Sequence, residues 1–239
     1  MSRLFDPFIP SRWTAIWYPY YIVRRRLFES VNAIRGYVHG DVLDVGCGRK
    51  PYRHLFEKAS TYVGLDVEST GHDHASSDVD IFFDGKTIPF PDRQFDVVVA
   101  FEVIEHVEML SALVAEIRRV LKSGGTFVVS CPFAWREHEL PYDFRRFTSA
   151  GLIAFMQERG FEMVECHKSA TSGEAAFQLC FVELMQASKK LPERMGYFLI
   201  FPVYFVSYLL FRLLGALINS KEGLYLNTIA VFRKQDAAG

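Results

Sequence analysis

Val42-Leu43-Asp44-Val45-Gly46-Cys47-Gly48 is a short apolar run that closes on an acidic-x-Gly-x-Gly turn. Working outward, Tyr62-Val63-Gly64-Leu65-Asp66 is a second run that also ends on an acid, and Val79–Phe83 is a weaker third. Phe95–Phe101, with three consecutive valines, is the strongest; Thr126–Ser130 and Phe161–Cys166 complete the series. Runs that are apolar throughout, rather than alternating, fit strands covered on both faces, as in a parallel sheet. Between the fourth and fifth runs, Leu110, Leu113, Val114, Ile117, Val120 and Leu121 fall at helical spacing, with a stop expected at Ser123-Gly124-Gly125. A further helix is expected from an N-cap at Thr148 to Gly160. Leu224–Phe232 reads as a last strand. Alternation of this kind predicts an α/β fold with a doubly wound, seven-stranded, mostly parallel sheet.

The rest of the chain frames that core. Its 239 residues are 50% hydrophobic and 23% charged, enough to bury a core and too apolar for disorder. A net charge of -1 excludes nucleic-acid binding by the whole surface. Cys47, Cys131, Cys166 and Cys180 form no C-x-x-C pair and no zinc spacing, so free thiols in a reducing compartment are expected. The start, MSRLFDPFIPSRW, has no uninterrupted apolar stretch of the signal-peptide kind. Aromatics reach 15% and crowd into the first 30 residues and into 197–211. Residues 1–36 carry a local charge of +4, and Trp13, Ile16, Trp17, Tyr20 and Tyr21 suggest an amphipathic helix interrupted near Pro19. Four segments are expected: an aromatic and basic helical segment over 1–36, a ligand-binding α/β domain over 37–170, a hydrophobic helical insertion over 171–222, and the last strand and tail over 223–239.

The two acidic strand ends point to the ligand. Glycines at 46 and 48 let the backbone bend and approach a ligand closely, with the next helix expected to present its N-terminus there. Asp66 stands where an acid can accept from both hydroxyls of a ribose. A dinucleotide fingerprint would place a third glycine where Pro51 stands, and Asp44 would crowd a pyrophosphate. An acid there suits a cationic or amine-bearing end instead.

These residues carry a resemblance. L-D-V-G-C-G-x-x-P-Y at Leu43–Tyr52, Y-V-G-L-D at Tyr62–Asp66, P-F-P-D-x-x-F-D-V-V at Pro89–Val98, E-H-V at Glu105–Val107, V-L-K-x-G-G at Val120–Gly125 and H-x-x-P-x-D-x-x-R-x-T at His138–Thr148 appear in order over about half the chain. The chain resembles the class I S-adenosylmethionine-dependent methyltransferases, in particular a bacterial small-molecule and glycan group of the methyltransferase type 11 kind. The resemblance implies a Rossmann-like methyltransferase fold and S-adenosylmethionine as cofactor. It further implies that Asp44, Gly46 and Gly48 cradle the methionine part, that Asp66 holds the ribose, and that Asp84 or Gly85 lies near the adenine. Phe101 would put its backbone beside the sulfonium. Asp84 reads equally as a plain turn residue before Gly85.

For catalysis, His138 is the first candidate base and His106 the second, with a positioning or structural role as the alternative for each. Tyr142, Asp143, Arg145 and Arg146 are candidate acceptor-binding residues; the alternative for Asp143 and the arginines is an ion pair that ties the loop down. His72 and His74 flank Asp73 without further ligands at matching spacing, so no metal is expected.

Residues 196–218 hold one charge, Arg212, and one proline, Pro202. They are long enough to span a bilayer, but the last strand must return to the sheet. A helix pair broken near Pro202 or Gly215 is expected, dipping into one leaflet beside the basic N-terminal segment, or buried against protein or a second copy of the chain. The function expected is methylation of a glycan or lipid-linked sugar hydroxyl, in the cytoplasm or on the inner face of the plasma membrane. A quinol or other lipid-soluble small molecule is the second acceptor class, and a nicotinamide-dependent oxidoreductase the third reading.

Overall fold

The computed structural model describes residues 6–11, 14–15, 18–68, 77–190, 193–214, 220 and 223–236. Trp13, Ile16, Trp17, His72, Asp73, His74 and Gly215 lie outside them, as does the side chain of Arg212. The chain divides into two compact units.

The larger unit comprises Ser30–Phe133, Glu137–His167 and Thr228–Gly239. Its strands are β1 (Gly40–Val45), β2 (Ala59–Val67), β3 (Ile81–Phe83), β4 (Phe95–Phe101), β5 (Leu121–Pro132), β6 (Phe161–Lys168) and β7 (Asn227–Lys234). They form one sheet in the order β3-β2-β1-β4-β5-β7-β6. The pairs β1–β2, β1–β4, β2–β3 and β4–β5 are parallel. Val42, Leu43, Val97, Val98, Val99, Phe127, Val128 and Val129 are fully buried, which is why these strands lack the alternation of a one-sided sheet. Strand order reverses between β1 and β4, where Asp44 lies opposite Val99 and Gly64; open α/β sheets bind ligands beyond such a point, at the carboxyl ends of the strands.

Two local expectations change. Helix α2 (Leu110–Val120) buries the predicted face but ends at Val120, not at the glycines. Leu121 is already extended, fully buried and paired with Phe95, so strand pairing captures it before the glycines are reached. No α-helix connects β1 to β2; only Arg53–Leu55 forms a single 3-10 turn there. Gly46, Gly48 and Lys50 all have positive φ and Pro51 follows, a backbone that cannot be α-helical. Helix α3 (Ser149–Gln157) follows expectation, with the Thr148 hydroxyl accepting from the Gly151 N–H.

The smaller unit comprises Met1–Glu29, Ala134–Arg136 and Lys168–Asn227. It holds most of helix α1 (Tyr21–Ala33), which begins just past Pro19. Helices α4 (Ser172–Ser188) and α5 (Glu193–Leu214) form the insertion. Thr171 and Glu174 make a reciprocal capping box at the start of α4. The expected break at Pro202 does not occur: α5 runs through it. Losing that backbone hydrogen bond costs about 3 kcal/mol, offset here by packing, since buried Tyr204 packs at a tilt against Phe181 (ring centroids 4.3 Å) and Phe177 (6.1 Å) of α4. The helix pair is therefore α4 with α5. Among the described residues no helix is long and apolar enough to cross a membrane. Arg25 and Arg26 are also tied down, paired with Glu29, and Arg26 with Glu174.

Candidate active site

The β1–β2 connection builds the first cluster. Gly46 sits at φ +70, and a Cβ there would collide with Val103. The Gly48 N–H donates to Asp66 Oδ2 at 2.9 Å, while the space where a Cβ of Gly48 would project is open. Asp66 Oδ1 accepts from its neighbour Val67 N–H at 2.8 Å. Asp44 is buried, and Tyr62 donates its hydroxyl to Asp44 Oδ2 at 2.7 Å. Burial lifts the Asp44 carboxyl to about 7, against the opposing pull of the Tyr62 hydrogen bond and Lys50. A cationic group arriving there would restore its ionised form. Tyr52 and Phe56 close the floor by packing on Phe101, the Phe56 ring stacked at 6.2 Å.

Lys50, Tyr62 and Asp80 belong to this cluster, although of the three only Tyr62 stands at a specified motif position and the motifs assign none of them a role. Lys50 Nζ donates to Asp80 Oδ2 at 2.6 Å, and the same oxygen accepts from the Gly64 N–H at 2.6 Å. A side chain at 64 would collide with Lys50 and Cys47. Gly64 is thus the seat of the lysine, a signal present in the Y-V-G-L-D motif. Asp84 is exposed, its Oδ1 accepting from the Lys86 and Thr87 N–H groups at 2.8 and 3.0 Å, which holds its carboxyl below the usual range. It makes the turn, and Gly85 beside it adopts φ +75.

A second cluster lies past β4 and β5. Glu102 leaves β4 with φ +56, its carboxylate accepting from the Ser130 hydroxyl at 2.7 Å. The single 3-10 turn Ile104–His106 follows. Glu105 is 1% exposed, and neither of its carboxyl oxygens has a hydrogen-bond partner. Burial, then the Glu102 charge, push its carboxyl well above the usual range. His106 Nδ1 is 2.7 Å from the Tyr142 carbonyl, which can only accept, so Nδ1 carries a proton there and the ring is turned with Nε2 on the other side. The His106 and His138 rings meet edge to face at 4.7 Å. The His138 N–H donates to Asp143 Oδ2 at 2.9 Å; its Nδ1 is 3.2 Å from the same oxygen but not aligned for a hydrogen bond. Burial, then His106, hold the His138 imidazole below its ordinary value, so it is neutral at pH 7.

The arginines depart from the acceptor-binding role expected of them. Arg146 grips Asp143 with two nitrogens, one at 2.7 Å, and this pair holds the Asp143 carboxyl down to about 2. Arg145 donates to the Ile104, Val107 and Glu108 carbonyls, closing the turn that carries Glu105 and His106. The Asp143 side chain is itself enclosed, so these three build the loop; Tyr142 is exposed.

The first cluster fits an adenosyl amino acid. It offers a buried carboxyl for an ammonium, open space beside the Gly48 backbone and an acid at the β2 end for a ribose. It does not offer the helix N-terminus that a pyrophosphate needs, so the nicotinamide alternative is set aside. Comparison with known proteins agrees. The methyltransferase-domain family model matches residues 43–129. A protein of Mycolicibacterium smegmatis named a probable S-adenosylmethionine-dependent methyltransferase is 35% identical over 134 residues, 52% of either chain. The fatty-acid O-methyltransferase of the same organism is 33% identical over 113 residues, 43% of this chain and 41% of that one. This chain thus spans about half or less of the relatives it matches. The solved [4+2]-cyclase SpnF has a TM-score of 0.57 at 18% identity, covering 90% of this chain and 82% of that one. At that identity the likeness speaks for the fold, and a fold does not name a reaction. Motifs and relatives converge on the segment around residues 43–129, which matches the methyltransferase-domain family and is similar to S-adenosylmethionine-dependent methyltransferases, and the strand order is that of the class I methyltransferase fold.

Proposed function

We propose that the protein is an S-adenosylmethionine-dependent O-methyltransferase acting on a hydroxyl of a glycan or lipid-linked sugar at a membrane surface, with residues 37–170 as its cofactor-binding segment. The observation that carries the enzymatic reading is the pairing of Asp66 with the Gly48 backbone beside the buried Asp44 carboxyl. When bound, the cofactor supplies an electrophilic methyl group on a sulfonium. Asp44 would receive the ammonium of its amino-acid end, and Gly46 and Gly48 would present backbone along it. Asp66 would accept from the ribose hydroxyls, Gly85 would border the adenine, and the Phe101 backbone would line the sulfonium. His138, neutral at pH 7, would take the proton of the acceptor hydroxyl, to which the bound cofactor would supply its methyl group. His106, its own ring oriented by Tyr142, positions His138.

The membrane part of the reading rests on α5. Val203, Phe205, Val206, Leu209 and Leu210 are each about half exposed along that helix. Apolar side chains gathered on one exposed surface are unusual on a soluble protein without a partner. The relative named fatty-acid O-methyltransferase favours a second reading, in which the acceptor is itself a lipid-soluble small molecule. Radiolabelled methyl transfer into separated lipid and glycan extracts tests both acceptors. Label in neither fraction would overturn the acceptor class. Flotation with anionic vesicles tests the surface: Val206→Lys with Leu210→Lys should shift the protein to the supernatant. Equal flotation would assign that face to a second copy of the chain or to another protein.

A further inference from the structure

We infer that Glu105, His106 and His138 form a binding site for one divalent transition-metal ion. One ligand atom from each lies within 4.8 Å of the others. Clustering alone would be weak ground; the second observation is Glu105 itself. Its carboxyl is fully enclosed, faces the two imidazoles, and has no donor on either oxygen. A buried acceptor left unmatched costs about 1–3 kcal/mol, more if charged, so native folds rarely retain one without a use.

The surroundings are arranged as around a metal. His106 Nδ1–H is held by the Tyr142 carbonyl, which turns Nε2 toward Glu105, 3.8 Å from Oε1. Ligating histidines are characteristically fixed this way through the other ring nitrogen. Two ligand atoms on one tetrahedral ion sit ~3.4 Å apart given bonds of about 2.0–2.2 Å, so the His106–Glu105 pair needs only a small closure, while the cluster as a whole, its ligand atoms within 4.8 Å of one another, must draw in further around the ion. His138 arrives from a different loop, and the Asp143–Arg146 pair, with the Asp143 side chain enclosed, fixes that loop through the His138 backbone N–H. Arg145 fixes the other side by bonding the carbonyls around the Glu105–His106 turn. One carboxylate and two imidazoles favour Zn2+, Mn2+, Fe2+ or Co2+ over the all-oxygen preference of Ca2+ and Mg2+. Three protein ligands leave positions open for an outside oxygen. On the methyltransferase reading, that oxygen is the acceptor hydroxyl, whose proton the ion would loosen for release to solvent water, with His138 serving as a ligand in place of its role as the base.

Binding is tested apart from catalysis. Full-length protein is stripped with chelator, dialysed, and titrated with Zn2+, Mn2+ and Co2+ in the absence of cofactor and acceptor. The expected result is one ion per chain, a visible Co2+ spectrum of low symmetry, and a rise in thermal midpoint with ion concentration. Affinity should fall at least tenfold in Glu105→Gln and in His138→Asn, two near-isosteric variants whose folding is checked by circular dichroism. His39→Asn, at an exposed histidine outside the cluster, should bind like wild type. Absence of stoichiometric binding to the wild type, or equal affinity in all variants, would overturn the site. A protein that binds the ion but transfers no methyl group loses the functional reading and keeps the site; one that methylates with no ion bound does the reverse.

Discussion

At the carboxyl ends of β1 and β2, the chain answers its own acids. Asp66 has two backbone donors, and Asp44 has the Tyr62 hydroxyl. Past the end of β4, Glu105 is as deeply enclosed as Asp44 and has no donor at all. The first arrangement is a finished hydrogen-bonding surface onto which an organic ligand with hydroxyls and an ammonium can settle. The second is unfinished, and a positive charge from outside completes it. The two clusters should therefore fail separately when they are perturbed.

The largest effect is expected at Asp66. A ribose held by two charge-assisted hydrogen bonds loses roughly 3–4 kcal/mol without them. Asp66→Ala should weaken S-adenosylhomocysteine binding at least 100-fold by calorimetry, with metal affinity at Glu105 unchanged. Loss of both together would mean that the clusters are one site. His138→Ala comes next. Turnover should drop about 100-fold, while cofactor affinity stays within twofold of wild type. A variant that turns over normally would remove His138 from the chemistry as either base or ligand.

The same division governs what the sequence disclosed. The Asp44 cluster was legible because its parts are contiguous: one glycine turn and one strand end, both set by the register of β1 against β2. The sheet was legible because its strands are apolar on both faces. The missing helix after β1 was less so, since it required seeing that Lys50 adopts φ +48 beside two glycines. The Glu105 cluster was not legible as a unit. His106 and His138 are far apart in sequence, and only the turn pinned by Arg145 and the loop pinned by Asp143–Arg146 bring their rings together. The arginines looked like acceptor ligands because an arginine reads the same whether its partner is a substrate or its own backbone. In α5, Pro202 reads as a break because local propensity does not include the Tyr204–Phe181 ring contact that helps carry the helix past it.

A smaller effect sharpens the contrast from the Asp44 side. Its carboxyl titrates near 7, and only the ionised form suits an ammonium. Binding should then strengthen as pH rises, because the proton to be displaced becomes scarcer. Between pH 6 and pH 8 the ionised fraction of a group near 7 rises about tenfold, and S-adenosylhomocysteine affinity should follow by about that factor. Asp44→Asn should bind more weakly overall and lose the slope. A wild-type affinity flat over this range would place the ammonium away from Asp44.

The smallest effect concerns folding without ligands. The Glu105 carboxyl is held well above 4.5 in the fold, so the folded protein keeps a proton that the unfolded chain releases. Stability must then decline as pH rises above about 4.5, until the folded group itself ionises. Glu105→Gln has no such proton, and its thermal midpoint should gain on the wild type across that window by a few degrees, the shift expected for about 1 kcal/mol. The slope is the diagnostic, because the new amide brings its own unmatched donors and offsets part of the absolute gain. A bound ion should reverse the ranking, raising the wild type and leaving Glu105→Gln where it was. If the wild type shows no excess decline with pH, Glu105 has a partner in solution, and the contrast with Asp44 and Asp66 collapses.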